Sequence, residues 1–177
     1  IYNFEGYIAI DWSGDKQKYQ KGIKVAIIEQ KDCQPRLINP PNNEKFWNRT
    51  SVVSWIKKIT YKKNYLIGID FAFSYPYFDF NSYYPNLKSS PKCVQKLWEL
   101  IDKYNNDKFN FYGGKICSTI PYSEYYNSYF KKGIKFQSRR RLTEILAKKI
   151  CSPSPTFNCV GPGAVGIGSL AGMRVLN

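Results

Sequence analysis

The apolar positions of this chain open with a run that recurs 59 residues later, Gly6-Tyr7-Ile8-Ala9-Ile10-Asp11 and then Tyr65-Leu66-Ile67-Gly68-Ile69-Asp70, each ending in a carboxylate. Apolar, β-branched runs too short for a helix read as strands buried on both faces. Residues 15–22 are polar and turn-like, so 23–29 reads as a second strand reached by a hairpin, and 36–38 as a short third. The spacing then becomes helical over 44–59, with Val52, Val53, Ile56 and Ile59 on one face. Ser90-Pro91 predicts a helix start, a capping hydroxyl with Pro in the first turn, followed by Val94, Leu97, Trp98 and Ile101 on one side. Residues 105–136, rich in Tyr, Phe, Gly and Asn, read as an irregular insertion. A helix is predicted over 138–150, with Leu142, Ile145, Leu146 and Ile150 as its apolar face and Ser152-Pro153-Ser154-Pro155 as its stop. A strand over 156–160 then runs into a glycine-rich loop, and 170–176 begins a last helix.

This order, three strands, helix, strand, helix, insertion, helix, strand, helix, resembles that of the ribonuclease H-like fold. It predicts an α/β domain whose mixed sheet has three antiparallel strands followed by parallel strands, flanked by helices. In that arrangement the first strand lies parallel to the strand after the first helix, and both carboxyl ends open on one edge. Asp11 and Asp70 then become neighbours. Two carboxylates at one edge repel unless a divalent cation or a shared proton relieves them, so the pair points to a metal site more than to a stability device. The competing use of each Asp is to cap the turn that follows its strand.

A chain of 177 residues, 43% hydrophobic, suits one domain spanning 1–177. It begins without Met and stops inside an apolar stretch, which suggests a piece of a longer protein. Lys and Arg number 27 against 13 Asp and Glu, a formal charge of +14 that favours a polyanionic partner, nucleic acid first, with DNA or RNA left open. Abundant Lys beside abundant Asn, Tyr and Ile also fits ordinary solvated lysines. There is no histidine, which excludes His-based acid–base chemistry, Ser-His-Asp triads and His metal ligands. The five cysteines are scattered, read as reduced and mostly buried thiols, and have no metal-knuckle spacing. No secretory signal and no apolar stretch near the ~20 residues of a bilayer span are evident, so a cytoplasmic protein without membrane contact is expected.

Four segments carry a family resemblance: Ile10-Asp11-Trp12-Ser13-Gly14; Gly68-Ile69-Asp70-Phe71-Ala72-Phe73-Ser74-Tyr75-Pro76; Arg141-Leu142-Thr143-Glu144; and the stretch from Val160 to Met173. In order, they resemble motifs of an uncharacterised family of predicted ribonuclease H-like nucleases. That resemblance implies acidic residues holding Mg²⁺ or Mn²⁺ for phosphodiester cleavage, with Asp11 and Asp70 as the metal-bridging pair and Glu144 as a third acidic member. Such sites draw a further carboxylate from a late helix, whereas no Asp or Glu follows Glu144 here. The site is thus either incomplete in this stretch of chain or not catalytic. Glu144 also lies four residues from Arg140 and from Lys148, where an exposed helical ion-pair ladder would account for it.

The basic stretch, with Lys131, Lys132, Lys135, Arg139, Arg140 and Arg141, offers phosphate contacts or a solvated face. Aromatics interleaved before it (Tyr112, Tyr122, Tyr125, Tyr126, Tyr129) fit base stacking or core. Gly161, Gly163, Gly166 and Gly168 form either a phosphate cradle at a helix start or a place of close backbone packing. Three functions follow: a metal-dependent nuclease; a nucleotide-binding ATPase or phosphotransferase of the actin-like fold, with Ser13-Gly14 as its phosphate turn; or a non-catalytic nucleic-acid-binding module.

Overall fold

The computed structural model describes residues 3–105 and 110–177, so residues 106–109 of the expected insertion lie outside the described residues. The chain divides into two compact units, Ile1–Asp70 and Phe71–Asn177.

The first unit holds a mixed four-stranded sheet of β1 (Gly6–Asp11), β2 (Lys24–Glu29), β3 (Arg36–Leu37) and β4 (Tyr65–Ile69), in the order β3-β2-β1-β4. β1 pairs antiparallel with β2 and parallel with β4. The α/β class, the hairpin and the parallel β1–β4 pair therefore stand as the pattern predicts. The helix of this unit, α1 (Arg49–Thr60), starts five residues later than the apolar spacing suggested. The cause is Asn48, whose side chain accepts from Ser51 N while Ser51 Oγ accepts from Asn48 N, a capping box that fixes the first turn.

The β1 strand alternates strictly between buried and exposed positions instead of being covered on both faces. Ile8 and Ile10 share a buried core with Val25, Ile27, Trp47 and Val52, while Tyr7, Ala9 and Asp11 look outward with Leu66, Gly68 and Asp70 of the neighbouring strand. The outward face carries small or charged side chains at its centre, so it has little apolar area to gain from a cover.

The second unit has α2 (Val94–Tyr104), α3 (Leu142–Ala147) and α4 (Gly166–Leu176). α2 begins after Ser90-Pro91 rather than at it, because the Ser90 hydroxyl is engaged elsewhere, accepting from Tyr84 N and Ser82 Oγ. The strand expected over 156–160 reduces to a single bridge between Asn127 and Asn158. The region expected as an insertion supplies Ile116, Cys117, Tyr122, Tyr125 and Tyr126 to the core, so it is structural rather than peripheral. Around Tyr84, also buried, the hydroxyls of Tyr75, Tyr84 and Tyr126 form a chain, 3.1 Å from Tyr75 to Tyr126 and 2.8 Å from Tyr84 to Tyr126. Burial pushes all three phenols well above their ordinary range. Two cysteines, Cys117 and Cys159, are buried here with sulfurs 3.6 Å apart, whereas Cys33, Cys93 and Cys151 are exposed, against the expectation of mostly buried thiols.

α3 departs furthest from its pattern. It spans six residues, and its expected apolar face is exposed, Leu142 by 55%, Leu146 by 64% and Ile150, beyond its end, by 93%. α4 starts four residues earlier than expected, at Gly166, where an added Cβ would meet Cys159 Sγ at 2.5 Å and Asn158 O at 2.6 Å. Arg174 of α4 donates to Asp102 of α2 at 2.8 Å and to the Tyr112 carbonyl at 2.8 Å, tying the last helix down.

Candidate active site

The parallel register pairs Ile10 with Ile69, and Asp70 N donates to Ile10 O at 2.9 Å, so the ladder continues one step and sets Asp70 beside Asp11. Neighbouring strands lie roughly 4.8 Å apart, which brings the two carboxylates onto one rim. Both are exposed. On the other flank of β1 the antiparallel register sets Lys24 opposite Asp11. The row across three strands thus reads Asp70, Asp11, Lys24, and among the described residues no ion pair within 4.0 Å joins Lys24 to either Asp.

These three side chains border an open depression of about 440 Å³ floored by Ala9, Ala26 and Gly68. A Cβ on Gly68 would meet nothing closer than Ile8 O at 3.9 Å, so glycine here keeps the floor low and is not required for packing.

The segment leaving β1 is held from below. Arg49, fully buried at the start of α1, donates to Ser13 O through Nε at 3.0 Å and Nη2 at 2.7 Å, and to Asp15 O at 2.7 Å. Buried Gln20 donates to Asp15 O at 3.2 Å. Ser13 Oγ accepts from Asp15 N at 3.2 Å. A guanidinium saturating loop carbonyls stiffens the segment that carries Ser13 and Gly14 away from the rim, because releasing those carbonyls would leave a buried cation unpaired. Sequence reasoning missed Lys24 and Arg49. Extending the hairpin register would have found Lys24; no local pattern marks Arg49.

The other candidates belong to the second unit and have structural work there. Glu144 is buried at the third position of α3, its Oε2 accepting from Arg141 N at 2.7 Å and its Oε1 from Arg141 Nη2 at 2.9 Å. It is a helix cap and an ion-pair partner of Arg141, not a rung between Arg140 and Lys148, and both carboxylate oxygens are engaged. Arg139 is likewise turned inward, 8% exposed, donating to Asp79 at 2.6 and 2.8 Å and to the carbonyls of Pro76, Ser82 and Tyr83. Its donors are occupied, which corrects its assignment as a phosphate contact, and its guanidinium holds the Asp79 carboxyl below the usual carboxylate range. Arg140 donates to the carbonyls of Pro153 and Ser138. Lys135 pairs with Glu124 at 2.6 Å, and Lys132 lies over the Phe136 ring; Lys131 is exposed. Of the aromatics weighed for stacking, Tyr122, Tyr125 and Tyr126 are core, and Tyr129 is exposed.

Gly161 and Gly163 adopt φ of +88° and +71°, the left-handed region that other residues enter at a cost, with nothing near an added Cβ. Gly166 N donates to Asn158 O at 2.9 Å, and Gly168 lies inside α4, so these two serve packing and helix geometry. Among the described residues no group of three or more His, Cys, Asp or Glu gathers as a metal cluster, and no helix is long and apolar enough to cross a membrane. No protein family, curated protein or solved structure matches this chain.

Proposed function

We propose that the first unit carries the metal-binding rim of a phosphodiester hydrolase acting on nucleic acid, with Asp11 and Asp70 holding Mg²⁺ or Mn²⁺. Support comes above all from one observation, the parallel register that sets two exposed carboxylates side by side at the carboxyl ends of β1 and β4. Capping alone would not require the two to coincide on one rim. Mg²⁺ is commonly held by one or two carboxylates, its remaining positions filled by water and substrate phosphate, so the donor set present fits this ion without a third protein ligand. When bound, such an ion activates water and steadies charge on the phosphoryl oxygens. Around it, Lys24 supplies a positive charge for a non-bridging phosphate oxygen, and the low floor of Ala9, Ala26 and Gly68 leaves room for a nucleic-acid backbone. The charge of +14 raises the local concentration of any polyanion.

The test is cleavage of labelled oligonucleotides with Mg²⁺ or Mn²⁺, alongside the thermal shift that Mn²⁺ produces. Asp11→Asn and Asp70→Asn are each expected to abolish cleavage and the Mn²⁺-induced shift while leaving a folded protein. Metal-dependent cleavage that survives both substitutions would refute the assignment. A second reading is favoured by the lack of a third acidic ligand among the described residues. Oligonucleotide binding without turnover, and stability indifferent to Mn²⁺, would assign a non-catalytic binding module instead.

A further inference from the structure

At the opposite end of the strands from Asp11 and Asp70, the first unit holds a second cavity, of about 370 Å³, walled by Trp55, Ile59 and Tyr65 and fringed by Lys58, Lys62 and Lys63. Five residues of strand, roughly 17 Å at 3.3 Å per step, separate it from the acidic rim. Its one acid, Glu29, is already satisfied. Lys63 Nζ donates to it at 2.6 Å, Tyr65 Oη donates at 2.6 Å, and these bonds hold its carboxyl below the usual range. Gly6 makes this possible, since a Cβ there would meet Tyr65 Cε1 at 2.9 Å and Ile28 O at 2.6 Å; without it the phenol reaches across β1 to Glu29 on β2.

What remains is two exposed ammonium groups, Lys58 and Lys62, with no acidic partner among the described residues, beside an indole that is itself held edge-on against Trp47 at 6.0 Å between centroids. Lys58 in the last turn of α1 answers the helix dipole, but Lys62 lies past the helix end, where the dipole alone gives it no task. A rigid aromatic wall beside a pair of unneutralised cations complements a base joined to phosphates. Only an unpaired base can present its face to such a wall. We infer that this cavity binds one nucleotide of single-stranded nucleic acid, Trp55 stacking the base while Lys58 and Lys62 contact the flanking phosphates. The inference shares with the proposed function only the class of ligand and is independent of the carboxylates.

The test is fluorescence anisotropy of a short labelled oligothymidylate with the full chain in EDTA, where no cleavage interferes, over a series of salt concentrations. The double variant Lys58→Ala/Lys62→Ala, both exposed positions, is expected to weaken binding and to lower the slope of log K against log salt by about 1.4, at roughly 0.7 per lost phosphate contact. Trp55→Leu is expected to weaken binding about tenfold with the slope unchanged, within the range for one stacked base. An abasic strand of the same length is expected to bind the unsubstituted protein more weakly. Equal affinity and slope for the double lysine variant, or equal affinity for the abasic strand, would overturn the inference, whether or not Trp55→Leu folds. The Mn²⁺-induced thermal shift, measured without oligonucleotide, reads the metal rim by itself: a double lysine variant that keeps this shift while losing oligonucleotide affinity separates failure of this site from failure of the rim.

Discussion

The strand ends of the first unit and the irregular chain of the second treat their polar groups in opposite ways, although buried Arg49 serves the loop carbonyls of Ser13 and Asp15 in the first unit much as Arg139 serves others in the second. In the first, the core is built largely from aliphatic strand residues and tryptophan, and Asp11, Asp70 and Lys24 are left at the surface on an open rim. In the second, Arg139 and three tyrosine hydroxyls are drawn inside, while the leucines of α3 face outward. The difference follows from the backbone. A sheet pairs its own N–H and C=O groups, so strand side chains need not serve them; irregular chain such as 76–83 leaves carbonyls to be satisfied, and a forked guanidinium satisfies several at once. Charge that satisfies a fold is not available to a ligand, and that is why the acidic rim is the stronger functional candidate than the arginine run.

Alkaline pH tests this contrast most severely. The buried phenols of Tyr75, Tyr84 and Tyr126 have values raised above the ordinary value near 10, so the fold retains protons that the unfolded chain releases. Their contribution is complete below about pH 10 and falls as pH rises above it, by about 1.4 kcal/mol per pH unit for each phenol. The expected outcome is tyrosinate absorbance from these phenols that appears only together with loss of the fold by circular dichroism. Tyrosinate forming throughout an intact protein would break the contrast.

Arg139→Ala comes next, with an expected loss of about 3 kcal/mol in urea unfolding, the lower end for breaking a buried ion pair because Asp79 is partly exposed. A change under ~0.5 kcal/mol, typical of a surface position, would return Arg139 to the solvated face read from its sequence. Glu144→Ala removes a cap and is expected to cost about 1 kcal/mol by the same measurement. Were it to abolish metal-dependent cleavage without that loss, a catalytic part for Glu144 would be restored. Asp11→Asn and Asp70→Asn are expected to change stability least, within roughly 0.5 kcal/mol in the absence of metal, since each removes one of two repelling surface charges. A loss of several kcal/mol would mark the rim as structural.

Several elements were legible from local pattern. The apolar runs before Asp11 and Asp70 marked the strands, although their burial alternates instead of covering both faces; the helical spacing of Val52, Val53, Ile56 and Ile59 marked α1, and the shared carboxylate endings made the Asp pair readable once the two strands were taken as parallel neighbours. The exposed face of α3 has the same spacing as a buried one and so misled, because periodicity states which residues share a side but not whether anything covers it.

By itself, the order of residues determined the sheet-and-helix content of the first unit, the strands whose register joins Asp11 to Asp70, and the exclusion of histidine chemistry. Only the tertiary structure decided that Arg139 and Glu144 are engaged within the fold, that Tyr122, Tyr125 and Tyr126 are core, and that Lys24, Arg49, Lys58 and Lys62 stand where they do. The physical reason is range: strand and helix propensities act over a few neighbours, whereas the fate of a charge depends on carbonyls and carboxylates that chain folding brings from as far as 72 positions away, as Asp102 is from Arg174.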